Sequence, residues 1–149
     1  MRNTLIAFLT AASLALPAAG QAANAPDGGG DIITLPTDGS TTVGGVEAAC
    51  TGIGQTRNDP RWAQYAVRVE VSDARTNYLA DAVIAVSDSR GRQMLRVFCD
   101  SPWVLLDLPP GAYTVRATLN SVPTARPRSA AIRAPARGQL RVVLQFPDA

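Results

Sequence analysis

The stretch Leu108-Pro109-Pro110-Gly111-Ala112-Tyr113-Thr114-Val115 constrains this chain more than any other part of it. It closes one apolar run, turns sharply and opens a second. Pro110 fixes its φ at about −65°, and Gly111 accepts the positive φ that a tight turn demands. Beyond the turn, Tyr113 and Val115 alternate with Thr114 and Arg116, the two-residue period of a half-buried strand. That pattern predicts an all-β chain.

The same beat runs through residues 65–146. Tyr65, Val67, Val69 and Val71 alternate with Ala66, Arg68, Glu70 and Ser72, the clearest amphipathic strand of the sequence. Further strands are expected over Ala82 to Ser87, Gln93 to Cys99, Trp103 to Leu108, Ala112 to Leu119 and Gln139 to Phe146. Asp88-Ser89-Arg90-Gly91 reads as a hairpin turn. The near-continuous apolar run from Trp103 predicts burial on both faces. Thr124 to Ala134 is interrupted by prolines, which confines it to a sheet edge or an extended segment. Turns every 8 to 12 residues between about seven strands predict a single antiparallel β-sandwich.

The N-terminal part reads differently. Arg2 and the apolar run Leu5 to Leu16, ended by Pro17, have the form of a secretory signal, with small residues around Gly20-Gln21-Ala22 for cleavage. The run is shorter than the roughly 20 residues of a transmembrane helix. Residues 1–22 are therefore expected to leave as a signal peptide, delivering a periplasmic or secreted chain. Residues 23–45, rich in Gly, Thr and Asp, are expected to be a flexible leader, with one short strand at Ile32 to Leu35. The folded domain is expected over 46–149. In an exported protein Cys50 and Cys99 are expected to pair, the alternative being a reactive free thiol.

The charge excludes some functions. A net charge of +2, or +1 once Arg2 leaves with the signal, argues for neither nucleic acid nor an anionic membrane. Its distribution is uneven: from residue 116 onward, Arg116, Arg126, Arg128, Arg133, Arg137 and Arg141 face a single acid, Asp148. There is no histidine, which removes Ser-His-Asp and Cys-His nucleophiles and nearly all zinc catalysis. Gly52-Ile53-Gly54 lacks the preceding strand and following helix of a phosphate loop. Asp73, Asp81, Asp88, Asp100 and Asp107 read as turn and cap residues. Calcium binding would need a D-x-D-x-D-G spacing that is absent. Glycoside hydrolysis would need two carboxylates set in split environments.

Tyr78-Leu79-Ala80-Asp81-Ala82-Val83-Ile84-Ala85-Val86-Ser87-Asp88, then Gly91, Pro102-Trp103-Val104 and Leu108 to Val115 together resemble the carboxypeptidase regulatory-like, or transthyretin-like (prealbumin-like), β-sandwich. The likeness spans Tyr65 to Phe146 and is nearest to small exported bacterial proteins of that kind. It implies a module without catalysis or cofactor that accompanies other envelope proteins. Its one hydrolytic branch, acting on a purine-breakdown intermediate, needs histidines and a terminal Tyr-Arg-Gly-Ser, and neither is present here. In such a fold Tyr113 is expected to pack inward and bond nearby backbone, as in a tyrosine corner.

The candidate sites follow from these readings. Arg116, Arg126, Arg128 and Arg133 are candidates for docking an envelope protein or anionic surface, against the plainer alternative of solvated charge that protects a sheet edge. Trp62 and Tyr65 are candidates for a ligand pocket at one end of the sandwich, which would make the chain a small-ligand carrier. No cofactor, metal, nucleic acid or membrane-spanning segment of the processed chain is expected.

Overall fold

The computed structural model describes residues 30–149. The signal peptide expected at 1–22 and the start of the leader lie outside the described residues. Ten strands are present among those residues: β1 (Ile33–Thr34), β2 (Gly39–Val43), β3 (Val46–Thr51), β4 (Val67–Asp73), β5 (Ala82–Asp88), β6 (Gln93–Cys99), β7 (Trp103–Leu106), β8 (Gly111–Leu119), β9 (Arg128–Ala134) and β10 (Leu140–Phe146). Two short 3₁₀ turns, Gln55–Asn58 and Pro60–Gln64, complete the regular structure. Among the described residues no helix is long and apolar enough to cross a membrane.

The strands form two five-stranded sheets. The front sheet runs β1-β6-β5-β8-β9 and the back sheet β10-β4-β7-β3-β2. Most neighbours are antiparallel, but β1 joins β6 and β10 joins β4 in parallel, so the purely antiparallel expectation is corrected.

The sheets share one core because their strands alternate. Ile84, Val86, Leu95, Val97, Val115, Ala117 and Leu119 from the front meet Val67, Val69, Val71, Val104, Leu106, Leu144 and Phe146 from the back. Each of the larger side chains, Ala117 excepted, contributes about 1.5–3 kcal/mol when fully buried. β7 is buried along its whole length, as its apolar run predicted. It is the central back strand, and its outward Leu105 is covered by Trp62 and Tyr65. The Cys50–Cys99 disulfide ties β3 of the back sheet to β6 of the front sheet within this core.

The opening turn behaves as its residues require. Gly111 has φ 151°, and the Tyr113 hydroxyl donates to the Pro109 carbonyl at 2.8 Å. At the β5–β6 hairpin the Asp88 carboxylate accepts from the amides of Arg90 and Arg92, and Gly91 takes φ 78°.

The flexible leader expected to residue 45 is corrected. β1 and β2 are strands of the two sheets, and Leu35 is buried in the core. β2 was hidden because Gly-Ser-Thr-Thr carries little apolar surface of its own; it is held by pairing with β3. Gly44 and Gly45, at φ 57° and 79°, make the tight two-residue turn between them, the geometry for which Gly-Gly is suited.

Candidate functional site

Alternation decides which arginines reach which surface. On β8, Val115 and Ala117 point into the core, so Arg116 points out of the front sheet. On β6, Leu95 and Val97 point inward, so Arg96 points out. Ala85 pairs with Arg96 on one side and Arg116 on the other, which sets the two guanidinium groups in one row across three strands. Arg133 on β9 faces Ala112 and joins the same outer face. Other outward positions on these strands are Val83, Ser87, Phe98, Ala112, Thr114, Thr118, Ser129 and Ala131, none acidic. Among the described residues the arginine–carboxylate pairs are Arg61–Asp59, Arg68–Glu70, Arg92–Asp88 and Arg141–Glu70; Arg96, Arg116 and Arg133 belong to none.

The four arginines singled out in the sequence thus divide. Arg116 and Arg133 share the front face. Arg128 lies at the start of β9 with Arg126 just before it, beside Asp148. The Arg126 amide donates to Asp148 at 2.8 Å. That bond, aided by the Arg128 and Arg126 charges, holds the Asp148 carboxyl below its ordinary range. Arg141, expected on the same basic side, lies on the back sheet instead.

The back face neutralises its charge. Glu70 is fully buried although its strand reads as amphipathic. Arg141 grips it with two hydrogen bonds, Nε to Oε1 at 2.9 Å and Nη2 to Oε2 at 2.6 Å. Arg68 Nε lies 2.9 Å from Oε1 as a charge contact without an aligned hydrogen bond. The Arg68 guanidinium also stacks 4.5 Å above the Trp103 ring, and Tyr78 meets that ring edge-on. Glu70, with Tyr78 beyond it, drives the Arg141 pKa well above the ordinary arginine value. The sequence hid this cluster because Arg141 is 71 residues from its partner.

Trp62 and Tyr65 do line one concavity, of about 250 Å³, with Ser40, Glu47, Arg61, Gln64 and Asp107. It adjoins a second, of about 340 Å³, that shares Gln64 and Asp107 and runs along Pro109, Pro110 and Arg137. Asp59 caps the turn that carries Trp62, accepting from the Arg61 amide. The Trp62 indole donates to the Thr56 carbonyl at 2.7 Å, and Gln139 bonds the carbonyls of Trp62 and Tyr65. The Tyr65 hydroxyl donates to Glu47 at 2.8 Å, and its pKa is raised by burial first and by Glu47 next, so the phenol keeps its proton. Arg61 stacks 4.1 Å over the Trp62 ring. Both aromatics are nearly covered, at 4% and 8% exposure, so the walls offered to a ligand are mainly polar.

The other candidate acids are committed locally. Asp73 accepts from the Arg75 and Asn77 amides and the Asn77 side chain, whose bond chiefly keeps its carboxyl below the usual range. The Arg92 amide does most of the same for Asp88. Asp100 accepts from Thr37 and Ser101 and lies 3.5 Å from the Cys50 sulfur. Cys50, Cys99 and Asp100 converge as metal ligands would, but both sulfurs are spent in the disulfide.

The chain matches no protein-family model, and no curated protein is similar to it in sequence.

Proposed function

We propose that this chain is a non-catalytic, exported interaction module of the bacterial cell envelope, a β-sandwich of the carboxypeptidase regulatory-like, transthyretin-like kind, that docks an anionic partner through the outer face of its front sheet. The observation that carries the proposal is the trio Arg96, Arg116 and Arg133 on a face without an acidic side chain and outside every ion pair of the described residues. The back face supports it by contrast, because its arginines spend their charge on Glu70. An internal disulfide suits an oxidising compartment, and the resemblance of Tyr65 to Phe146 suits an accessory role.

A small-ligand carrier is the second reading, favoured by the concavity beside Trp62 and Tyr65. It carries less weight, because an apolar ligand would meet Glu47, Asp107, Arg61 and Gln64 rather than exposed aromatic faces.

The test compares two variants with the same loss of charge. Replacing Arg96, Arg116 and Arg133 by Ser lowers retention of the protein on bacterial envelope fractions by roughly an order of magnitude at low salt. Replacing the exposed loop residues Arg57, Arg75 and Arg137 by Ser leaves it unchanged. Equal loss in both would reduce the effect to net charge and refute the docking face.

A further inference from the structure

The four strands that end the two sheets differ in how they meet solvent. β1 is two residues long. β9 carries Arg128 and Arg133 between Pro127 and Pro135, and β10 lies against β9. Shortness, charge, proline and a covering neighbour are the usual guards against an added strand. β2 has none of them. It is Gly-Ser-Thr-Thr-Val, five residues without charge or proline, and it pairs with β3 alone. The backbone groups it leaves open are set by its turn. The Gly44-Gly45 hairpin closes on the pair Val43–Val46, so Val43 and Thr41 turn their backbone groups to β3. The same alternation is fixed from the other side of β3, where the Asp107 amide donates to the Glu47 carbonyl at 2.9 Å. The amides and carbonyls of Ser40 and Thr42 therefore point away from β3 at the open edge, and none has a backbone partner among the described residues. Both residues are exposed.

The side chains beside this edge select a charge. Thr42 pairs with Glu47, and the bond from Asp107 to Glu47 continues that row onto the residue after β7. Val46, Ala48 and Leu106 face the core, so Glu47 and Asp107 share the outer side, where both line the cleft beside Tyr65. Two carboxylates opposite each other on neighbouring strands repel. Neither belongs to an ion pair of the described residues, and among those residues the Tyr65 hydroxyl alone bonds to either side chain. Arg61, in the same cleft, is turned to Asp59, the Asp38 carbonyl and the Trp62 ring. A strand added beside β2 would place one outward side chain in the row of Thr42, two strand spacings or about 10 Å from Glu47. A lysine or arginine there spans that gap and meets the carboxylate pair. Its two neighbours would lie on the core side beside Thr41 and Val43, where Val43 is partly buried.

We propose that β2 takes up an extended basic segment of a partner protein as a sixth strand of the back sheet, its backbone bonding Ser40 and Thr42 and a lysine or arginine reaching Glu47 and Asp107. The open edge calls for an extended backbone, and the unpaired carboxylates behind it call for a cation. The site is independent of the front-face arginines, which lie on the other sheet.

The test titrates the isotope-labelled chain, purified from the cell that makes it, with a blocked peptide of alternating Val and Lys and with its Val and Glu counterpart. The Val–Lys peptide should shift the Ser40 and Thr42 amide resonances and slow their hydrogen exchange, while the Val–Glu peptide should do neither. E47Q/D107N leaves the edge intact and should weaken binding about tenfold. Thr42→Pro removes an outward amide that the β2–β3 ladder does not use, and should abolish binding. R96S/R116S/R133S should bind as the parent does. A thermal melt checks that Thr42→Pro folds; where it does not, E47Q/D107N and the two peptides decide. Equal binding of the two peptides, unchanged binding in E47Q/D107N, or binding that survives Thr42→Pro would overturn the proposal. So would the absence of any shift at about 1 mM peptide. Self-association of the parent chain that Thr42→Pro removes would assign the edge to a second copy and overturn it as well.

Discussion

Glu70 illustrates how one side chain can reverse its apparent role. Its strand alternates as though Glu70 faced water, yet Arg68 and Arg141 close over it, joined by the Tyr78 hydroxyl at 3.4 Å. Burying a carboxylate is tolerable only while its partners remain, and the two sides of the cluster are not equivalent. The arginines reach solvent, at 26% and 56% side-chain exposure, whereas Glu70 does not. Replacing both arginines by Ala strands the carboxylate and should cost about 3–5 kcal/mol. Glu70→Gln lets the arginine heads turn to water and should cost only about 1–2 kcal/mol. Urea unfolding of the two variants checks the order; the reverse order would show that Glu70 is not held as described. The turn carboxylates add a pH dependence. Asp73, Asp88 and Asp148 have folded-state pKa values below their unfolded ones. The stability they supply is fully present above about pH 4 and is lost as the pH falls through their folded values. The melting temperature should therefore drop as the pH falls from about 4 to about 2, and drop less in D73A/D88A.

At the scale of elements, the legible strands were those that bury their own apolar residues. β4, β5, β6, β8 and β10 bury their own apolar side chains at alternate positions, and each falls within two residues of its sequence reading. β9 was legible as an edge through Pro127 and Pro135, and it lies at the edge of the front sheet. β2 was not, because Ser40, Thr41 and Thr42 take their place from β3 rather than from hydrophobicity. Its one sequence signal was Gly44-Gly45, and that turn is testable. A Cβ on Gly44 would run into the Met94 carbonyl, while one on Gly45 would meet open space. Both substitutions impose the left-handed conformation on Ala, at roughly 1–2 kcal/mol each. Gly44→Ala should therefore destabilise clearly more than Gly45→Ala in a thermal melt, and equal effects would remove the β2–β3 turn from the account. Among the candidate sites, Trp62 and Tyr65 could be associated from their closeness in the sequence. Arg96 could not be joined to Arg116, because that needs the register of β5 between them.

For the molecule as a whole, the disulfide and the polarity of charge are the main consequences. Cys50 and Cys99 are 49 residues apart and join the two sheets through the core. Replacing both by Ala should lower stability by about 4 kcal/mol through the freed loop of the unfolded chain. Urea unfolding would detect that, and a change near zero would mean the unfolded chain gains little freedom. The two outer faces differ in what they do with arginine: the back spends it on Glu70, while the front presents it to solvent. The most direct measurement of the docking account is retention on envelope fractions of the parent and of R96S/R116S/R133S across a salt series. The account predicts strong, salt-sensitive retention of the parent, and a variant whose weak retention barely responds to salt. Equal retention with equal salt dependence in the two proteins would contradict it.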